Sequence, residues 1–496
     1  MTVPVQCGIV LGRFHPKQGE NKLILNKYLG DRGFWRVTLR LALPIAIQNM
    51  LTSSFSLIDT LMVSMLGDIS LAAAGMAGQW SWLLNIFLFG VSSGAAIFIS
   101  QYYGVDDRKG IHRTSGIALF SGMVLGAVFM AAACLFPASV MRIFGDEEIV
   151  IAEGVKYLRI AGFSYFAVVV SGVWSSILRS TAQVKLPMYV SLVTTIENAV
   201  LNYLLIFGGF GIPALGIEGA ALATLISSWT GAILLLLLSM RRSNILYAPL
   251  GELFRFTRAN LLLFYKKALP VMANESMWGL GTFCFNAIFG ALGYENYEAV
   301  TILRTFESIA FAFFVGLCNA SCVMVGKSVG AGKIERAWQD ALRFTVLIPA
   351  ISVVVGWMII LFRAPLVNIF NLSGNISETV LLTAQSLLVV YALEIPLRNI
   401  PYIQIVGVFR SGGDTATGVF YDLFCLWGLS LPATLIAAFL LDLPFVAVFV
   451  VMYLCEDVVK VFLCLRHFRS AKWILPVTPE GRAGLESWRA ARTNIK

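Results

Sequence analysis

The sequence contains an internal duplication, which is the strongest constraint on how the chain can fold. When the sequence is shifted by 226 positions, prolines, glycines and phenylalanines of the first half coincide with the same residue types in the second half. The coinciding pairs are Pro44–Pro270, Gly67–Gly293, Gly90–Gly316, Gly104–Gly330, Phe136–Phe362 and Phe144–Phe370. A shift of 231 places Arg179 on Arg410. The constant offset predicts two lobes of the same architecture.

The repeated unit has the composition of a membrane protein. The chain is 58% hydrophobic and 13% charged, whereas soluble domains have about 45–50% apolar and about 25% charged residues. A spanning helix needs about 20 apolar residues. Twelve windows meet that length: 39–65, 72–103, 114–137, 154–178, 186–208, 217–240, 265–291, 298–328, 338–362, 379–408, 418–441 and 444–466. The sequence thus predicts an all-α polytopic membrane protein with two six-helix bundles related by a pseudo-two-fold axis along the membrane normal.

Charged residues predict the orientation and the domain boundaries. Lys and Arg concentrate in the terminal tails, in the central connector and in alternate loops, so both termini are predicted to be cytoplasmic. The predicted parts are an N-terminal tail 1–38, an N-lobe 39–240, a connector 241–264, a C-lobe 265–466 and a C-terminal tail 467–496. The net charge of +9 is explained by this orientation, so no nucleic-acid partner is expected.

The composition also argues against an enzyme. The chain has three histidines, all in polar flanks, and its eight cysteines form no CxxC pair. An intramembrane catalytic or transition-metal site would need such side chains inside the spans. We therefore expect no enzymatic activity and no cofactor other than a coupling ion.

Asp59 is the first candidate functional residue, because it lies in the first span in the stretch Ser-Phe-Ser-Leu-Ile-Asp-Thr. A carboxylate there costs about 2.5–3.5 kcal/mol on insertion scales and should face the bundle interior or a water-filled cavity. Asn198, Asn202 and Thr224 form a second polar set, and the i, i+4 spacing of the two asparagines places them on one helix face. These oxygens with one carboxylate could hold Na⁺, or they could form only interhelical hydrogen bonds.

The second half has its own acids, but at different places. Glu275 coincides with Asn49 under the 226 shift, and Asp59 coincides with Phe285. An acid that occurs in only one lobe is not expected to serve packing that both lobes share. Glu275 is therefore a second functional candidate. Glu394 and Arg398 on the tenth span, and the cluster Glu456, Asp457 and Lys460 on the twelfth, are predicted to be internally paired charges, with a second proton site in this lobe as the alternative. Arg304 and Glu307 are also expected to pair, whereas Asp422 has no obvious local partner.

Several short motifs, in this order and on the 6+6 repeat, resemble the multidrug and toxic compound extrusion (MATE) transporters over residues 35–470. The motifs are Ala-Leu-Pro44 with Ile-Asp59-Thr, Arg179-Ser-Thr-Ala-Gln, Glu-Asn198-Ala-Val-Leu-Asn202, Gly-Ala-Ala-Leu-Ala-Thr224 and Phe-Arg410-Ser-Gly-Gly-Asp414-Thr. The resemblance implies a V-shaped pair of six-helix bundles, with inward- and outward-open states and efflux coupled to Na⁺ or H⁺.

The same resemblance implies roles for individual residues. Asp59 matches the N-lobe acid, and Asn198, Asn202 and Thr224 match its polar partners, although many relatives have Asp at the position of Asn202. Glu275 matches the acid of branches that use a C-lobe site, whose tenth-helix Asp falls at Asn399 here. The basic C-terminal segment resembles that of the bacterial branch.

Together these features predict a cation-coupled antiporter that exports drugs or small organic, cationic compounds and works as a monomer in the lipid bilayer. One alternative is a lipid-linked precursor flippase of the same superfamily, which would need a cationic cavity for pyrophosphate. A membrane enzyme would need intramembrane histidines or a metal cluster. A channel is a third alternative, although asymmetric acids on a repeat suit alternating access better.

Overall fold

The computed structural model describes residues 28–209, 211–240, 244–371 and 376–493, and helices dominate this part of the chain. In the first half the helices are α1 (Arg32–Ser64), α2 (Asp68–Gly104), α3 (Arg108–Leu135), α4 (Pro137–Arg142), α5 (Glu148–Ala161), α6 (Ser164–Ser180), α7 (Lys185–Phe207) and α8 (Ile217–Ser239). After the short helix α9 (Leu250–Leu253), the second half has α10 (Arg258–Ala291), α11 (Tyr294–Gly330), α12 (Ile334–Asn368), α13 (Glu378–Gly412), α14 (Ala416–Leu440), α15 (Phe445–Ser470) and α16 (Pro479–Thr493).

Each of the twelve predicted spans coincides with a long helix or, for 154–178, with the pair α5 and α6. Within the described residues, nine helices are long and apolar enough to cross a membrane, and α5 with α6 forms a tenth span bent by 55°. Helices α10 and α15 are equally long, but charged side chains such as Lys267 and Asp457 interrupt their apolar runs. The predicted twelve-helix membrane fold is confirmed.

Most helices begin a few residues before the predicted apolar windows, and at α1, α3, α10 and α13 a polar side chain caps the first turn. At the start of α1, the Asp31 carboxylate accepts a hydrogen bond from the backbone N–H of Phe34 at 2.9 Å. This bond holds the pKa of Asp31 below its ordinary value. Thr257 and Asn260 form a capping box ahead of α10. Such caps satisfy backbone donors that an apolar window cannot reveal.

The duplication is visible in the helix boundaries. Helices α2 and α11 both have 37 residues, and both their first and last residues are 226 positions apart. Each helix follows a glycine in the positive-φ region, Gly67 at +106° and Gly293 at +118°. Only glycine adopts this backbone conformation without strain, so the repeated glycines mark the same turn in both lobes.

The two lobes meet at contacts that also obey the repeat. A Cβ atom added to Gly104 would collide with the backbone carbonyl of Lys327, and one added to Gly330 would collide with that of Gln101. Lys327 and Gln101 are themselves 226 positions apart. A second reciprocal pair joins Gly90 to Met272 and Gly316 to Ala46. We call these contacts between the lobes the seam, and the Gly104 and Gly330 contacts lie at the C-terminal ends of α2 and α11.

Helix α1 belongs to both lobes. Phe34, Leu41 and Ile45 of its first half pack into the hydrophobic core of the second lobe, together with Phe289 and Phe344. Val63, near its end, packs into the core of the first lobe. The helix that carries Asp59 therefore crosses from one bundle to the other.

The segment 473–493 extends across the seam on the side of the termini. The backbone N–H of Val477 donates to Gln101 Oε1 of the first lobe at 2.8 Å, and Gln101 Nε2 donates to the Ser411 carbonyl of the second lobe at 2.8 Å. Thr478 donates to the Gly330 carbonyl at 2.6 Å. In α16, Arg492 lies over the ring of Trp338, 5.0 Å from its centroid. The segment thus joins both lobes.

Candidate functional site

Two helices of the first lobe bring polar side chains together at Asp59. Helix α1 supplies Asp59, and α7 supplies Asn198 and Asn202, which are fully buried. Asn202 Nδ2 donates to Asp59 Oδ1 at 2.9 Å and to Asn198 Oδ1 at 3.1 Å. The amide of Asn202 therefore links the carboxylate to the second asparagine.

Helix α8 completes this cluster with two hydroxyl groups. Asn198 Nδ2 donates to Ser227 Oγ at 3.4 Å. The hydroxyl of Thr224 and the side-chain oxygen of Asn202 are both enclosed and have no hydrogen-bond partner in the described part of the chain. Because an unpartnered buried oxygen is costly, these two atoms indicate a ligand or water that they would contact.

Tyr157 and Ser227 are members of the cluster that sequence reasoning missed. Tyr157 of α5 lies beside Thr224 and close to Asp59, and Ser227 lies one helical turn beyond Thr224. Neither residue belongs to a motif that stands out in the sequence. For Ser227, the i, i+3 spacing from Thr224 on α8 was the available signal.

The donor set of the N-lobe cluster fits a small cation. A carboxylate, an amide oxygen and a hydroxyl are the oxygen ligands that hard cations prefer. A proton on Asp59 would also neutralise the carboxylate in the membrane. The side chains of Asp59, Asn202 and Thr224 can thus serve either Na⁺ or H⁺.

Glu275 and Asn399, the residues of the predicted C-lobe site, have different partners. Glu275 Oε1 accepts a hydrogen bond from Arg410 Nη2 at 2.7 Å, and Arg410 Nη1 donates to Ser93 of the first lobe at 3.2 Å. Asn399 Nδ2 donates to Ser352 Oγ of α12 at 2.7 Å. Glu275 thus contributes to a contact between the lobes, and a cation site shared with Asn399 stays a prediction.

The motif that begins at Arg410 continues into the turn between α13 and α14. Asp414 accepts a hydrogen bond from the backbone N–H of Thr417 at 3.2 Å, and its Oδ2 lies 2.8 Å from His467 Nε2. Burial alone would raise the pKa of Asp414, but the hydrogen bonds with His467 and Thr417 outweigh it and hold the pKa below its ordinary value.

Buried charges of the second lobe pair both between helices and along one helix. Arg398 binds Glu307 of α11 at 2.6 Å, so the expected pairings of Arg398 with Glu394 and of Glu307 with Arg304 are wrong. A spacing of i, i+4 describes only neighbours on the same helix, whereas α11 places a carboxylate within reach of the guanidinium. Lys460 binds Asp422 at 2.8 Å and Glu456 at 2.7 Å.

Comparison with known proteins agrees with this architecture. The MatE family profile matches residues 44–204 and 270–453, one segment in each lobe. The chain is 22% identical to "Uncharacterized transporter YisQ" of Bacillus subtilis, an alignment that covers 87% of this chain and 93% of the relative. It is 25% identical to "Probable multidrug resistance protein NorM" of Thermotoga maritima, covering 88% and 92%.

Solved structures share the fold. A crystal structure of MATE in complex with MaL6 superposes with a TM-score of 0.80 at 19% identity and covers 90% of this chain and 98% of the other. A MOP superfamily transporter from Pyrococcus furiosus superposes with a TM-score of 0.78 at 20% identity and covers 90% and 97%. The two lobes, the profile match in each and these neighbours establish that the chain is a multi-pass membrane protein of the MATE transporter family.

Proposed function

We propose that this transporter is an antiporter that exports small organic, cationic compounds, drugs among them, in exchange for Na⁺ or H⁺. The observation that carries the proposal is the Asp59 carboxylate, held by Asn202 beside two enclosed oxygens without partners. Relatives named as probable multidrug resistance proteins support the substrate class. We further propose that it works as a monomer in a bacterial inner membrane, with both termini cytoplasmic.

The geometry suggests how an ion bound at Asp59 would change the contacts between the lobes at the seam. A cation on Asp59 neutralises the charge that Asn202 now stabilises, so the preferred position of the second half of α1 changes. The first half of the same helix packs in the core of the other lobe. A shift of α1 therefore acts on both bundles, as alternating access requires.

The energy source depends on the charge of the substrate. One charge that crosses 100 mV yields about 2.3 kcal/mol, which supports roughly a 50-fold gradient at about 1.4 kcal/mol per decade. When one monovalent cation is exchanged for another, no net charge crosses the membrane, and the contribution of the membrane potential cancels. The concentration gradient of the coupling ion would then supply the whole driving force.

Export from everted vesicles under separate Na⁺ and pH gradients tests the proposal. We expect ethidium transport by the wild type under one gradient, and at least a tenfold loss in Asp59→Asn. Asp68→Asn, which removes an exposed carboxylate at the start of α2, should leave the rate unchanged. Equal rates in Asp59→Asn and wild type would rule out coupling at Asp59.

A second candidate, a flippase for lipid-linked anionic precursors, is favoured by Arg179. This side chain hydrogen-bonds Gln48 at 3.3 Å and forms no ion pair in the described part of the chain, whereas its repeat counterpart Arg410 binds Glu275. An unpaired guanidinium suits a phosphate group. Translocation of a pyrophosphate-linked lipid that is abolished by Arg179→Gln but not by Asp59→Asn would favour this function.

A further inference from the structure

Two carboxyl groups face each other inside the second lobe, away from the Asp59 cluster. Glu394 of α13 and Asp457 of α15 are only 5% and 3% exposed, and they lie within hydrogen-bonding reach of each other. Neither carboxylate oxygen of Glu394 has a hydrogen-bond partner while both groups are ionised. In a membrane interior this arrangement needs a neutralising ligand.

The basic side chains nearest to the two carboxyl groups, Arg398 and Lys460, do not supply that neutralisation, because each binds another acid. Arg398, one turn from Glu394 on α13, binds Glu307 at 2.6 Å. Lys460, one turn from Asp457 on α15, binds Asp422 at 2.8 Å and Glu456 at 2.7 Å. These two bases are thus shared among three other acids, and Glu394 and Asp457 remain as a pair of acids without a base of their own.

The other groups around Glu394 do not change this balance. Its own helix contributes Tyr391 and Arg398, and α11 contributes Glu307, which binds Arg398. Helix α15 contributes the neutral Tyr453 and a Glu456–Lys460 pair. The negative charge of Glu456 adds to the repulsion between the two unpaired carboxylates.

We propose that Glu394 and Asp457 bind one proton between them and form a proton-binding site in the second lobe. Two carboxylates in contact cannot both stay ionised, and a single shared proton gives the O–H···O hydrogen bond that Glu394 otherwise lacks.

This inference goes beyond the proposed function and does not require it, because a proton can be detected without transport. If export is driven by H⁺, the pair is a second protonation site, in the lobe opposite Asp59. Loss of export in Asp59→Asn and loss of the proton from the carboxyl pair are then separate results. Either result can fail while the other holds.

Infrared difference spectroscopy of the purified full-length protein in lipid nanodiscs tests the site. The spectra are recorded in the Asp59→Asn variant, which removes the signal of the Asp59 carboxyl group. At neutral pH we expect a protonated-carboxyl C=O band that shifts in D₂O. The band should disappear in Glu394→Gln and equally in Asp457→Asn, because the new amide can donate a hydrogen bond to the remaining carboxylate without a proton. Glu456→Gln, next to Asp457 but paired with Lys460, is the matched control and should keep the band.

Three results would overturn the proposal. The first is the absence of a protonated-carboxyl band in the Asp59→Asn protein, which needs no variant in the second lobe. The second is a band that persists in both Glu394→Gln and Asp457→Asn. The third is a spectrum that has no protonated-carboxyl band but has a carboxylate band that shifts when Na⁺ is added. This result would show that the pair binds a metal cation and not a proton. Gel filtration of each variant checks that the fold is retained.

Discussion

Asn202 shows how one amide can set the properties of an intramembrane acid. It donates to Asp59 at 2.9 Å and to Asn198 at 3.1 Å, and its own oxygen has no partner. A hydrogen bond to a charged group contributes about 1.5–3 kcal/mol. Asn202→Ala removes both the donor and a cation ligand. Under Na⁺ coupling, we expect the loss of this ligand to raise the Na⁺ concentration for half-maximal export by about tenfold. Under H⁺ coupling, we expect the opposite direction, because the lost hydrogen bond favoured the ionised carboxylate over the protonated one.

The matching measurement is the export rate as a function of Na⁺ or H⁺ concentration, with Asn85→Ala as the control. Asn85 is exposed and donates only to the Ser81 carbonyl on its own helix, so its removal should have no effect. An unchanged half-maximal concentration in Asn202→Ala would contradict the role of this residue. A fall in maximal rate alone would point to the conformational step.

The sequence identified part of this site, for a physical reason. Asp59 is conspicuous because a carboxylate in an apolar span is costly, and Asn198 and Asn202 share a face because of their spacing. Tyr157 could not be predicted as a member of the site, because it lies on α5 and nothing in the sequence around it indicates that α5 packs near α8. The pairing of Arg398 with Glu307 escaped for the same reason, since contacts between helices are not encoded in local spacing.

At the scale of the helices, the repeated glycines are places where two backbones meet. Alanine at Gly104 or Gly330 would place a Cβ against a backbone carbonyl of the other lobe, which no side-chain rotation can relieve. Overpacking typically costs about 1–3 kcal/mol. We expect Gly104→Ala and Gly330→Ala to lower the midpoint of thermal unfolding in detergent by similar amounts, because the two contacts are related by the repeat.

Gly78→Ala is the matched control for this prediction. It lies on α2, as Gly104 does, but a Cβ there meets nothing within 4 Å. Alanine is the better helix former by about 1 kcal/mol, so the midpoint should stay or rise. A drop of the same size in all three variants would show that these glycines do not act through the contact between the lobes.

The helices themselves were largely predictable, whereas their relative placement was not. Twelve apolar windows and the offset of 226 residues located the spans and their symmetry, because both are properties of the chain alone. The bend of 55° between α5 and α6 lies at Gly162 and Phe163, and no proline or charged residue stands at that point to mark the break. The seam also depends on which glycines face the other lobe, and the sequence alone does not indicate which ones do.

At the scale of the whole molecule, Gln101 joins three parts of the chain. Its side chain accepts from Val477 and donates to Ser411, both at 2.8 Å. Each such hydrogen bond contributes about 0.5–1.5 kcal/mol. We expect Gln101→Ala to shift the population about tenfold towards a state in which the lobes separate on the side of the termini.

Pulsed electron paramagnetic resonance between spin labels at Lys109 and Lys333 measures this separation, because both positions are exposed, Lys109 in the first turn of α3 and Lys333 just before α12. Gln183→Ala is the control. The side chain of Gln183 also makes hydrogen bonds, to Asn244 at 2.9 and 2.7 Å and to Thr181 at 3.4 Å, but all of them lie within the first half of the chain. A distance distribution that is identical in Gln101→Ala and wild type would contradict the role of this residue.

The segment 473–493 has a consequence for how the protein is made. The ribosome adds residues from the N-terminus onwards, so both bundles are already synthesised when Val477 and Thr478 emerge. Their hydrogen bonds to Gln101 and Gly330 can form only after nearly the whole chain has been translated. During biogenesis the two bundles must therefore insert and begin to pack while the joint between them is still incomplete, and the final contacts across it form last.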